Sequence, residues 1–257
     1  MIKEVNITDA FEKEAQPDGS TVDTIDAYVG CQLQCPYCFQ MSNPNWSKDI
    51  FVRKNIAGIL EEQLKEKSSG DLYIGSLSDP YMPLEEKYHL TRKCLQVLSS
   101  SDIHTYITTK SDNKLILDDL DLLKSFKIPV TILLGLSNIN QSDKGADNVN
   151  IKVANTLIRE GIDVRAFITP ILPYVMNVDE IIGALDKNIL IYLDKLRVMT
   201  KGNQDKKVYN WIKEKYPQYV KEYDKIIYGA DESYYKKIME KYCKDEHITF
   251  MFDLWGV

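Results

Sequence analysis

Three of the chain's five cysteines fall in one short stretch, DAYVGCQLQCPYCFQMSNP (residues 26–44), spaced Cys31-x3-Cys35-x2-Cys38. Three thiols are the wrong number for disulfides, which form in pairs. They are also one short of a structural zinc site, which takes four protein ligands. A three-cysteine set suits a centre in which one metal position is left for a ligand that the protein does not supply. A zinc knuckle completed by a distant histidine, by Cys94 or by Cys243 is the competing reading. His89, His104 and His247 stand in no ligand spacing. Cys94, inside LTRKCLQVL, sits at an apolar helical position and reads as buried and inert; Cys243 is read as structural too.

The elements that must position such a loop are short apolar runs closed by turn residues. They are TIDAYVG (24–30), DLYIGSL (71–77), IHTYITT (103–109), IPVTILLGLS (128–137), IDVRAFITPIL (162–172) and DKLRVMT (194–200). Their Ile, Val, Thr and Tyr content predicts strands covered on both faces. Helical patterns lie between them. RKNIAGILEEQLKEK places Ile56, Ile59, Leu60 and Leu64 on one stripe, and VNIKVANTLIREG closes on Gly161 as a C-cap. NVDEIIGALDKN is the third such segment. Repeated strand–helix alternation predicts a parallel sheet, closed or partly closed into a barrel, in one domain. Beyond about residue 200 the chain becomes rich in Tyr, Lys and Glu and reads as helices packed on that sheet. The last residues, ITFMFDLWGV, alternate Phe250, Phe252 and Leu254, with Trp255 following. They predict an extended tail folded back beside the sheet's open edge, over the mouth of the barrel or against its bottom.

The 257 residues are 44% hydrophobic and 27% charged, enough for a full core and against disorder. A net charge of −6 without a long basic run disfavours nucleic acid as a partner. No apolar run has the length of a membrane span, and the first twenty residues lack the apolar core of a signal peptide. The expectation is a cytoplasmic protein with reduced thiols.

The cysteine segment resembles the CxxxCxxC signature of the radical S-adenosylmethionine (radical SAM) enzymes. An apolar run leads into Cys31, and aromatic Tyr37 stands just before Cys38. GSLSDPYMPLEEKYHLTRKCLQVL, beginning at Gly75, and YITTKS, ending at Ser111, resemble the spore photoproduct lyase-like branch of that superfamily. Its uncharacterised relatives carry T-D-P-Y-Q-P-x-E followed by T-R. Here the segment runs from Ser78-Asp79-Pro80-Tyr81 to Glu85, with Thr91-Arg92 after it. ILLGLSN and LIREGIDVRAFITPILPYVMN extend the likeness, which covers roughly residues 24–200.

The resemblance implies an α/β fold, a partial (β/α)6 TIM-type barrel over residues 1–200 with a helical extension over 201–257 of the same domain. It implies a [4Fe–4S] cluster on Cys31, Cys35 and Cys38, with S-adenosylmethionine (SAM) on the fourth iron. Reductive cleavage of SAM would yield a 5′-deoxyadenosyl radical that abstracts hydrogen from substrate. Gly75, Ser76 and Ser78 would bind the SAM amino group, with Asp79 beside them. Lys110 would reach the carboxylate and Ser137 the ribose. Pro170 and Ile171 would shape the adenine pocket, and the Tyr37 backbone would read the adenine edge. An electron donor such as flavodoxin or ferredoxin is implied. The subclass among lyase, oxidoreductase and transferase stays open.

Two departures bear on substrate. The lyase carries a hydrogen-donating cysteine near the end of its second strand, where this chain has Gly75-Ser76-Leu77-Ser78-Asp79 and no thiol. A serine O–H bond is too strong to replace it, which favours a small molecule or peptide over DNA repair. The acidic stretch before the fifth-strand helix is reduced to KGADNVN (144–150), which weakens the ribose assignment.

Overall fold

Six strands that follow one another in sequence also lie side by side, all parallel, in the computed structural model of the chain. They are β3 (Thr21–Ile25), β6 (Gly70–Ile74), β7 (Ile103–Thr109), β8 (Thr131–Gly135), β9 (Asp163–Ile168) and β10 (Leu190–Leu193). The structure describes all residues except 16–18, 44, 47, 68, 112–113, 138–147 and 255–257, and not the side chains of 201, 253 and 254. β2 (Glu12–Ala15) adds antiparallel to β3, and β11 (Ile248–Phe250) adds parallel to β10. The described sheet therefore reads β11-β10-β9-β8-β7-β6-β3-β2. A second sheet of β1 (Ile2–Val5), β5 (Ile50–Arg53) and β4 (Tyr28–Val29) carries the chain into the cysteine loop. The result is a mixed α/β fold built on a large, mostly parallel sheet.

The strands form where sequence alternation meets a two-sided environment. In β7, Ile103, Thr105, Ile107 and Thr109 are buried on one face, while His104, Tyr106 and Thr108 on the other are only partly covered. That second face carries an aromatic layer. Tyr73 stacks on Tyr106 with centroids 4.6 Å apart, and Phe167 stacks on Tyr192 at 4.8 Å.

Helix Leu90–Leu98 shows how the crossover segments hold. Leu90, Cys94, Leu95 and Leu98 bury one stripe, each large apolar side chain contributing about 1.5–3 kcal/mol. Its first turn is capped from upstream, where the Glu85 carboxylate accepts the Thr91 and Arg92 N–H groups, both at 3.0 Å. Helix Ile56–Leu64 packs alongside it, burying Ile56 and Leu60. Helix Val149–Arg159 is followed by Gly161 at φ +86°, the left-handed residue expected there.

Two predicted strands need correction. The run 24–30 is not one strand. It breaks after Ile25, and Tyr28–Val29 pairs with β5 in the other sheet. The sixth strand is Leu190–Leu193, immediately before the predicted DKLRVMT segment, which is irregular chain leading out of the strand end. After β10 the chain forms helices Gln204–Lys215, Val220–Tyr228 and Ser233–Tyr242. The tail joins the sheet's edge through β11, but only Ile248–Phe250 are extended. A helical turn begins at Met251, which brings Phe250 and Phe252 edge to face, 5.5 Å apart. Trp255 lies outside the described residues. Among the described residues no helix is long and apolar enough to cross a membrane.

Candidate active site

The carboxyl ends of the parallel strands and the cysteine loop enclose one cavity of about 360 Å³. Cys31, Cys35 and Cys38 face it, as do Tyr37, Gly75, Ser76, Ser78, Asp79, Lys110 and Pro170. Leu33, Phe39, Met41, Trp46 and Leu77 supply an apolar wall. Thr169 and the trio Asp194, Lys195 and Arg197, at the ends of β9 and β10, close the far side. Parallel sheets gather chemistry at this end because every crossover delivers a fresh loop there.

The cysteine loop is short-range structure. Gln34 adopts φ +51°, Cys38 N–H donates to the Cys35 carbonyl at 3.0 Å, and Met41 N–H to that of Cys38 at 2.9 Å. Gln32 pins one side of the loop by accepting Leu84 N–H at 2.8 Å. All three thiols are free and partly exposed. Burial pushes the Cys31 thiol up to about 12 and raises Cys35 and Cys38 as well. Opposing that, the Asp79 and Leu33 N–H groups point at the Cys31 sulfur, and those of Gln40 and Met41 at Cys38. The Lys110 charge pulls Cys35 and Cys38 down. These donors offset part of the cost of burying a thiolate, while burial, with the Asp79 charge beside Cys31, keeps the net shift upward. Among the described residues no three His, Cys, Asp or Glu side chains converge as a single metal ion requires. Cys94 is buried in its helix, as expected, whereas Cys243 is exposed at the end of another rather than structural.

Lys110 lies across the end of β8. Its ammonium donates to the Thr169 carbonyl at 2.7 Å and stands 4.9 Å from the Tyr37 ring centroid. Gly135 makes that path possible, since a Cβ there would collide with the lysine stem. The Tyr37 hydroxyl donates to the Ser137 carbonyl, and burial raises its pKa well above the ordinary value. Its own carbonyl accepts the Gln204 side chain at 2.7 Å, so the backbone expected to read adenine already has a partner.

Ser137 and Ile171 do not reach the cavity. Both are fully buried. Ser137 Oγ donates to the Pro170 carbonyl at 2.7 Å, and Ile171 N–H donates to the Asp194 carbonyl at the same distance. These groups knit the ends of β8, β9 and β10 from behind the cavity wall. Asp79 lines the cavity but acts chiefly as a clamp. Its carboxylate accepts Tyr81 N–H at 3.0 Å, the Thr109 hydroxyl at 2.8 Å and Lys110 N–H at 2.6 Å. The remainder of the motif is a buried polar lattice. Tyr28 donates to Glu85, Tyr81 donates to Asp119 at 2.9 Å, and Arg92 pairs with Asp119.

Sequence reasoning missed Asp26. This residue is 2% exposed, and its Oδ1 accepts Ser78 N–H at 3.2 Å. Burial lifts its carboxyl to about 7, Glu12 adding to the rise and Arg53 opposing it. Asp26 Oδ2 and Ser78 Oγ are buried without a partner among the described residues. Gln204 and the 194–197 segment were missed as well, and no local pattern marks them. A glycine ending a strand one column from a strand-end lysine was a readable signal for Gly135.

No protein-family model matches the chain. It is 31% identical over 172 residues to an uncharacterized protein of Methanocaldococcus jannaschii, MJ0683, across 62% of this chain and 64% of that one. A mutant of spore photoproduct lyase superposes with a TM-score of 0.59 at 14% identity, over 84% of this chain and 66% of the lyase. Spore photoproduct lyase complexed with dinucleoside spore photoproduct gives 0.54 at 14%, over 76% and 61%. The chain thus spans less than two thirds of the length of these proteins. Similarity at this level of identity establishes the fold: a mixed α/β chain with a large parallel sheet like that of spore photoproduct lyase.

Proposed function

We propose that the protein is a radical SAM enzyme. On this reading residues 1–200 are a partial (β/α)6 barrel core, and 201–257 are its extension within the same domain. The observation that carries it is the meeting of three free thiols from one loop with Lys110 and the Gly75–Ser78 strand end around a single cavity, on a spore photoproduct lyase-like fold. The donor set fits a [4Fe–4S] cluster. Each thiolate in such a cluster takes its own iron, so the three sulfurs need not converge on one point. When bound, the cluster and SAM supply reductive C–S cleavage to a 5′-deoxyadenosyl radical, fed by an external donor such as flavodoxin or ferredoxin.

The chain's residues bind, orient and shield. Lys110 pairs with the SAM carboxylate, a charge-assisted contact fixed in direction by its stem lying over Gly135. Gly75, Ser76 and Ser78 take the amino group, and Ser78 Oγ, without a partner among the described residues, gives that role a polar atom. Pro170 borders the adenine, while Ser137 and Ile171 support it through the backbone they hold. The apolar wall of Leu33, Phe39, Met41, Trp46 and Leu77 keeps water from a reactive radical. The substrate is a small molecule or peptide; the net charge of −6 and the lack of a thiol at 75–79 argue against DNA repair.

Anaerobic reconstitution with iron and sulfide, then reduction with SAM, tests this reading. The protein should turn brown and release 5′-deoxyadenosine, whereas a zinc protein would stay colourless. Turnover of a dinucleoside photoproduct would restore the repair alternative.

A further inference from the structure

We propose that Gln204 is a positioning residue for the cysteine loop: its side-chain amide clasps the loop at the Tyr37 carbonyl, between Cys35 and Cys38. This makes the C-terminal extension part of the metal-binding site. The inference rests on the reading that the loop holds an iron–sulfur cluster.

The loop's own turn bonds use the carbonyls of Cys35, Cys38 and Gln40. The Tyr37 carbonyl is bound from outside the loop, by Gln204 Nε2 at 2.7 Å, across 167 residues of sequence. The other end of the same amide accepts Met199 N–H at 2.6 Å. Gln204 is 1% exposed, so neither partner can be replaced by bulk water. A glutamine suits this place because it donates and accepts at once, and its two partners fix which way the amide points.

Tyr37 is consequently gripped at three points. Gln204 holds its carbonyl, Ser137 accepts from its hydroxyl, and the Lys110 ammonium stands over its ring. With Tyr37 fixed, the flanking cysteines cannot drift apart, which a preorganised metal site demands. The same helix adds a second tie, as Lys207 Nζ donates to the Met41 carbonyl. Just before that helix, Gly202 at φ +69° approaches the Ser42 carbonyl so closely that any Cβ would collide with it. Val208 and Ile212, both fully buried, anchor the helix in the core, so the ties transmit a rigid position.

Hydrogen exchange on the metal-free chain, compared with chelator-driven iron loss from the reconstituted chain, tests the clasp. Gln204→Met should retain the wild-type circular dichroism but exchange the amides of residues 38–43 about tenfold faster, with β7–β9 unchanged. Its cluster should be lost to bathophenanthroline about tenfold faster, with an altered electron paramagnetic resonance signal on adding SAM. Lys207→Met, at a half-buried position, should shift the same readouts in the same direction, and it decides the matter if Gln204→Met does not fold. Unchanged exchange at 38–43, a uniform loss of protection throughout the chain, or unchanged iron loss would each overturn the clasp. A wild-type chain that takes up no iron would sink the enzyme reading, while the exchange result would still judge the clasp.

Discussion

The Asp79 carboxylate accepts the backbone N–H of Lys110 at 2.6 Å, so the loop after β6 and the loop after β7 share one anchor. Two segments expected to hold different ends of SAM are thereby fixed relative to each other before any ligand arrives. The acid that does this is buried and carries three hydrogen bonds, and its neighbours on both strands depend on it.

Asp79→Ala should therefore destabilise the fold. It leaves the Tyr81 and Lys110 N–H groups and the Thr109 hydroxyl short of an acceptor in a buried place, a loss of about 2–4 kcal/mol. Urea denaturation measures it, and a change below about 0.5 kcal/mol would show that the clamp carries no weight.

Lys110→Ala should raise the dissociation constant for SAM roughly ten- to hundredfold, the worth of one charge-assisted contact of ~1.5–3 kcal/mol. Gly135→Ala should do nearly the same without touching the lysine, because the added methyl displaces its stem. Both variants should retain the wild-type cluster spectrum. Equal SAM affinity in all three proteins would return Lys110 to a purely structural place.

Single replacement of Cys31, Cys35 or Cys38 by Ala should abolish the brown chromophore and all SAM cleavage. Cys94→Ala should leave both intact while costing some stability, since its thiol is packed inside helix Leu90–Leu98. Full activity in any one of the three loop variants would dismiss the cluster assignment.

Asp26 gives the protein a pH signature. Its folded pKa of about 7 lies above the ordinary 3.8, so the folded state binds the proton more tightly than the unfolded state does. The associated stability is complete below about pH 4 and is lost as pH rises through about 7. Asp26→Asn should remove that slope and raise stability at pH 8, by at most on the order of 4 kcal/mol. Denaturant midpoints at pH 5 and pH 8 provide the check; parallel slopes in wild type and variant would refute it.

That the cysteine loop, Gly75, Ser76 and Lys110 would meet at one cavity was legible because each lies in a local motif, and local sequence decides where a strand ends. Asp79 was legible as a residue of the cavity lining but not as a clamp, since two of its three partners lie about thirty residues away on another strand. Gln204 was invisible for the same reason, at a separation of 167 residues. The sixth strand was misplaced because Leu196, Val198 and Met199 give the segment apolar character despite the charges of Asp194, Lys195 and Arg197. Those charges belong instead to the chain that leaves β10 and borders the cavity. Tyr28–Val29 looked continuous with β3 because apolar character says nothing about which sheet a residue joins.

Both margins of the described sheet are formed by very short strands from near opposite ends of the sequence, β2 with four residues and β11 with three. An outer strand exposes unpaired N–H and C=O groups that can recruit a strand from another molecule. Here β2 reads Glu12-Lys13-Glu14-Ala15, so three of its four side chains are charged. β11 runs straight into the helical turn at Met251. Neither margin offers a long, flat, apolar template. The aromatic-rich interior strands are thereby guarded against edge-to-edge aggregation while the chain is folded.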